Sequence, residues 1–176
     1  MFGGMFLKKE FYEALSAPFN GHPRRLSALR WINRITTGLI YVLYICIIVV
    51  LIVNHNWWDL LLSTVIPATG LVGVSIWRRV ANIPRRYEVW DTPCLLGKTS
   101  PGESFPSRHV FSAAVIAVTA FRLWWPLGTV AALATVVLAV VRVVGGAHYV
   151  RDVAVGGIAG SLWGIVWFLL IGLLTA

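Results

Sequence analysis

Charge is scarce in this sequence. Of its 176 residues only 12% are Asp, Glu, Lys or Arg while 58% are apolar, and the mean hydropathy is +0.78. An ordinary water-soluble domain carries about 25% charged residues, so that reading is excluded and the bilayer becomes the expected solvent. Negative charge is the scarcest kind: Glu10, Glu13, Asp59, Glu88, Asp91, Glu103 and Asp152 are the whole acidic complement. Scattered in this way they make no carboxylate cluster of the sort that holds a pair of catalytic cations, and neither a metal nor another cofactor is expected. Cysteine is limited to Cys46, inside an apolar run, and Cys94, in a polar stretch. Without CxxC spacing, neither a disulfide framework nor a thiolate metal site is indicated. The N-terminus lacks the charge order of a cleavable signal, because the apolar stretch 2–7 precedes Lys8 and Lys9 instead of following them, and the chain is read as mature.

What is present is positive charge, tryptophan and long apolar runs. Fifteen Lys and Arg give a net charge of +8. In so hydrophobic a chain this points away from nucleic acid and toward an anionic membrane surface or a phosphorylated substrate. Nine Trp residues, among them Trp57, Trp58, Trp77, Trp124 and Trp125 at the ends of apolar runs, suit the headgroup belt of a bilayer. Runs near the spanning length of about 20 residues fall at 35–53, 57–77, 110–125, 127–144 and 153–174. The expected fold is therefore all-α: a polytopic membrane helix bundle of about five transmembrane helices. Residues 1–30, where Phe2, Met5, Phe6, Phe11, Tyr12 and Leu15 interleave with Lys8, Lys9 and Glu10, are expected to form an amphipathic interfacial helix. Residues 31–176 form the transmembrane domain. Gly156, Gly160 and Gly164 recur every four residues in the last run, a spacing assigned to close packing inside the bundle. All basic residues except Arg122 fall on one side of such a bundle, which the positive-inside rule makes cytoplasmic.

Three segments meet on that side: Arg78 to Tyr87 after the second run, Phe105 to His109 opening the third, and Arg142 to Asp152 between the fourth and fifth. Arg142 interrupts valines at the end of an apolar run, where a guanidinium costs about 2.5–3.5 kcal/mol unless it snorkels. Such charges face an interior site with a partner. Four residues separate His148 from Asp152, so a helix starting at or before His148 stacks them on one face. The carboxylate then holds one ring nitrogen and leaves the other free as nucleophile or base. Pro106 and Ser107 at a helix N-terminus leave backbone N–H groups aimed at an anion, with His109 in reach of a departing oxygen.

These residues resemble the signatures of the PAP2 superfamily. Arg142, His148 and Asp152 stand as in SRxxxxxHxxxD, with Val141 at the usual Ser. Phe105-Pro106-Ser107-Arg108-His109 is similar to PSGH, with Arg108 for Gly. The first signature, KxxxxxxRP, is matched in spacing by Arg78 with Arg85 or by Arg79 with Arg86, and Pro84-Arg85-Arg86-Tyr87 favours the former. The resemblance implies a PAP2-type core that lacks the family's usual first span. It also implies a multi-pass protein of the bacterial cell (inner) membrane acting on an amphiphilic lipid phosphate: phosphatidylglycerophosphate, phosphatidate, or a polyprenyl phosphate or pyrophosphate. The implied phosphate pocket is Arg78, Arg85, Ser107, Arg108 and Arg142. His148, oriented by Asp152, is the implied nucleophile and His109 the implied acid, with a phosphohistidine intermediate and no metal. A lipid phosphotransferase uses the same set, and a transporter or scaffold of the same fold keeps it without turnover. The sequence is silent on oligomeric state.

Overall fold

The computed structural model describes residues 9–175. Their order is α1 (Lys9–Ser16), a 3-10 turn (Ala17–Phe19), α2 (Pro23–Val53), α3 (Trp57–Ala81), α4 (Arg86–Val89), α5 (Arg108–Leu123), α6 (Trp125–Val144) and α7 (Val150–Thr175). Four stretches, Pro23–Val53, Trp57–Val89, Trp125–Val144 and Val150–Leu174, are long and apolar enough to cross a membrane. The 16-residue α5 rises about 24 Å, short of the hydrocarbon thickness. It serves instead as the central post, with Ala113, Ala114, Val115, Ala117 and Ala120 all buried against its neighbours.

α2 begins twelve residues before its apolar run. Proline is at home in a first helical turn, and the turns that carry Arg24, Arg25, Arg30 and Arg34 extend the helix toward the headgroups. The stretch 1–30 is consequently not one helix within the described residues: Pro18 and Gly21, at φ 73°, separate α1 from α2. Phe2, Met5, Phe6 and Lys8 of the expected amphipathic helix lie outside the described residues. α1 itself is tied down. Tyr12, 2% exposed, packs edge-on to Tyr149 and accepts a hydrogen bond from the Val150 amide, and the Ser16 hydroxyl donates to the Val144 carbonyl.

In α3, Pro67 cannot donate to the Ser63 carbonyl one turn earlier, and an unpaired carbonyl inside a bilayer is costly. The Tyr44 hydroxyl of α2 takes the vacant position at 3.0 Å. The glycine stripe of α7 faces α5. A Cβ on Gly156 would stand 2.7 Å from the Ser107 carbonyl oxygen, and one on Gly160 would stand 2.4 Å from that of Phe111. Both obstacles are backbone and cannot swing away. Gly160→Val is therefore expected to lower the midpoint of thermal unfolding in detergent, by an overpacking cost of about 1–3 kcal/mol or more. At the opposite end from the arginines Trp57, Trp58, Trp124 and Trp125 are exposed, and Arg122 pairs with Asp59 while lying over the Phe168 ring.

Candidate active site

α6 ends at Val144, and the turn that follows determines where His148 goes. Gly146 sits at φ 80°, in the left-handed region that favours glycine, and a Cβ there would meet the Arg86 guanidinium at 3.0 Å. The amides of Ala147 and His148 both turn back to the Arg142 carbonyl, at 3.1 and 3.3 Å. This folds the His148 ring inward until it is 1% exposed.

α7 starts only at Val150, so His148 and Asp152 do not stack on one helix face as the spacing suggested. The ring approaches from the turn instead. Its Nδ1 lies 3.6 Å from Asp152 Oδ2, beyond hydrogen-bond reach, and 2.9 Å from the carbonyl oxygen of Ser104. A carbonyl only accepts, so Nδ1 carries the proton and the lone pair belongs to Nε2. The Asp152 carboxylate is occupied by the Ser104 hydroxyl at 2.5 Å and the Tyr149 amide at 3.0 Å. It holds the two segments that hold the histidine. Burial pulls the His148 pKa down to about 4, against the opposing pull of Asp152, which keeps the ring neutral at pH 7.

Arg78, Arg85 and Arg142 are 5%, 3% and 4% exposed. Arg78 donates to the carbonyls of Pro106 (2.7 Å) and Glu103, and Arg85 to those of Gly102 (2.9 Å) and Ala147 (3.4 Å). Because the Ala147 amide binds the Arg142 carbonyl, Arg85 and Arg142 converge on one turn. The Nε atoms of Arg78 and Arg142 are both buried without a partner among the described residues. Near these three buried guanidiniums the carboxylates are the buried Asp152, 3.4 Å from Arg151, and the partly exposed Glu103, 3.9 Å from Arg78. The excess is positive and calls for an anion.

The amide of Ser107 was expected to be free and is not, because it donates to the Asp152 carbonyl at 2.9 Å. Its hydroxyl is the available donor, buried and unpartnered among the described residues. The amides of Arg108, His109 and Val110, in the first turn of α5, precede any intrahelical acceptor. Arg108 is exposed and His109 half-buried at the mouth of the site. Of the alternative register, Arg79 is exposed on α3, whereas Arg86 is 4% exposed and clamps structure. It donates to Val143 O and Ser16 Oγ beneath the glycine turn and lies over the Tyr12 ring.

The profile of the PAP2 superfamily matches residues 84–175, more than half the chain. The chain belongs to the PAP2 superfamily. It is similar in structure to Aquifex aeolicus LpxE, with a TM-score of 0.68 and 21% identity over 89% of this chain and 92% of that one. It is also similar to the first transmembrane PAP2 type phosphatidylglycerolphosphate phosphatase from Bacillus subtilis, with a TM-score of 0.60 and 22% identity over 89% and 90% of the two chains. No curated protein sequence matches it. The PAP2 membership and the apolar helices together make it a multi-pass membrane protein.

Two residues near this candidate site escape sequence reasoning. Ser104 lies just outside the PSGH-like segment and contributes through its carbonyl, which no residue type announces. Lys98 is an isolated lysine in the loop 90–107. That loop is pinned by the Leu95 carbonyl, which accepts from Arg30 at 2.8 Å, and by Cys94 and Leu96, which donate to the Gly145 carbonyl. Its ammonium is half-buried, and its pKa is pulled to about 8 by burial first and then by Arg85, Arg142, Arg78 and Arg108. Lys98 thus lies within the positive field of the arginine cluster. Among the described residues no three His, Cys, Asp or Glu side chains come together as a set able to hold an ion.

Proposed function

We infer that the chain is a membrane lipid phosphate phosphatase that hydrolyses a lipid phosphomonoester or pyrophosphate through a phosphohistidine on Nε2 of His148. The observation that carries this reading is the cluster of three buried arginines, with the Nε atoms of Arg78 and Arg142 unpartnered among the described residues, next to a histidine whose Nδ1 faces a carbonyl. A phosphoryl group in transit spreads charge over its equatorial oxygens, and fixed guanidiniums in a shielded site stabilise that charge. Arg78, Arg85 and Arg142, with Ser107 Oγ and the first-turn amides of α5, form the cradle. His109, held neutral before substrate binds first by burial and then by Arg142 and the other cations, takes up a proton as the phosphate dianion binds and offsets those charges. Nε2 then attacks phosphorus, the bond to the lipid oxygen breaks, and His109 delivers that proton to the oxygen. Water then attacks the phosphohistidine, His109 takes its proton, and phosphate leaves with His148 restored. Asp152 and Ser104 hold the ring through both steps, and the arginines supply the positive charge that a metal supplies elsewhere.

The test is phosphate release from phosphatidate, phosphatidylglycerophosphate and a polyprenyl pyrophosphate in detergent micelles, with chelator present throughout. Release of free phosphate is the expected result. A phosphorylated acceptor in place of free phosphate would make the protein a transferase, and activity restored only by magnesium would remove the histidine scheme. The basic end of the bundle, with Arg24, Arg25, Arg30 and Arg34, is placed on the cytoplasmic face of a bacterial cell membrane. Protection of the loop 90–107 from protease in inside-out vesicles would reverse that placement.

Lys98 sets the alkaline limit. Its ammonium is charged below a pH of about 8 and neutral above it, so the hold on phosphate is full on the acid side and declines as pH rises through 8. KM is expected to rise across that range in the wild type. Lys98→Met should show a KM several-fold higher at pH 7 and a flat profile from 7 to 9. A wild-type KM that does not change across pH 8 would exclude a role for Lys98 in holding phosphate.

A further inference from the structure

A cavity of about 500 Å³ opens beneath the site, between α2, α3, α5 and α6. Arg108 and His109 stand at its upper end, and Ile40, Leu71, Ile116 and Leu138 line its walls. Tyr41 and Leu71, both exposed on the flanks of α2 and α3, border its opening toward the bilayer. At a volume of about 30 Å³ for a water-sized group, the cavity accommodates a chain of roughly 17 methylene-sized groups. That is one long hydrocarbon chain and not two.

The wall is not uniformly apolar. Five helical threonines, Thr64, Thr69, Thr119, Thr129 and Thr135, donate their hydroxyls to the carbonyl four residues earlier, at 2.7 to 3.0 Å. Thr37, which lines the cavity, does not: its hydroxyl is buried without a partner among the described residues. One turn closer to the site on the same face of α2, Asn33 Oδ1 is buried and unpartnered as well. A hydroxyl in this setting costs free energy unless something bonds it, and an oxygen on the occupant would supply the partner.

We propose that the cavity seats one hydrocarbon chain of the substrate and that Thr37, with Tyr41 beside it, hydrogen-bonds the oxygen atoms joining that chain to glycerol. The protein then takes an acylated glycerol phosphate in preference to a polyprenyl phosphate, whose chain carries no oxygen beyond the phosphate. This rests on the lipid phosphatase reading and narrows it to a substrate class.

The experiment compares kcat/KM for a long-chain phosphatidate and a polyprenyl monophosphate in the same detergent, for wild type, Thr37→Val and Thr37→Ser. The wild type is expected to favour phosphatidate at least tenfold. Thr37→Val, which keeps the shape and removes the hydroxyl, should narrow that ratio about five- to tenfold through KM, and Thr37→Ser should restore it. A wild-type ratio near one or favouring the polyprenyl lipid overturns the inference and leaves the phosphatase reading in force, as does a ratio unmoved by Thr37→Val. Phosphate from neither lipid overturns the reading itself, and the inference with it.

Discussion

Arg142→Leu is expected to yield a protein that is more stable than the wild type and nearly inactive. The guanidinium is 4% exposed, its Nε has no partner among the described residues, and Arg85 converges on the same turn. A buried charge left unpaired costs several kcal/mol even after relaxation, and replacing buried ionic groups with apolar ones gains about 1–4 kcal/mol. Leucine removes that cost and with it a contact to the transferring phosphoryl group, for which a loss of about 10²–10³ in kcat is expected. Thermal unfolding in detergent separates the two effects. Inorganic phosphate should raise the midpoint of the wild type by mass action and leave that of the variant unmoved. A variant that is destabilised, and still stabilised by phosphate, would mean that Arg142 supports the fold and binds no anion.

His148→Ala should lower kcat by about 10⁴ or more while KM changes little, because the nucleophile is lost and the arginine cradle is not. The buried ring is held by the Ser104 carbonyl and sits on a glycine turn, so a stability loss accompanies the substitution. The phosphate-induced rise in unfolding midpoint shows whether the cradle survives. His109→Gln is expected to behave differently. Removal of a general acid costs about 10²–10⁴, and that loss should shrink for an aryl phosphate, whose leaving oxygen needs no proton. Equal losses on lipid and aryl substrates would take His109 out of the proton transfer.

Much of this architecture is legible in the residues. Long apolar runs and tryptophans at their ends give the helices, and the cluster of basic residues gives the functional end. The spacing of Arg142, His148 and Asp152 alone identifies the third segment. What is not legible is set by backbone. The positive φ of Gly146 swings His148 in from a turn, so its tautomer is set by the carbonyl of Ser104, a group every residue possesses. The Ser107 amide looked free because a helix N-terminus usually is, yet the Asp152 carbonyl approaches it from α7. Lys98 comes into the field of the arginines because Leu95, Leu96 and Cys94 anchor its loop on α2 and on Gly145. α5 reads as a fifth span by composition, and its shortness is tolerated because neighbours enclose it.

The most direct measurement is to trap the intermediate. Purified protein is mixed with a lipid phosphate labelled in its phosphoryl group, quenched in alkali within the first turnover, and examined for protein-bound label. Phosphohistidine survives alkali and is lost in acid, so the account requires alkali-stable, acid-labile label on wild type, mapped to His148 and missing from His148→Ala. Label that resists acid, or turnover by His148→Ala at the wild-type rate, would contradict it.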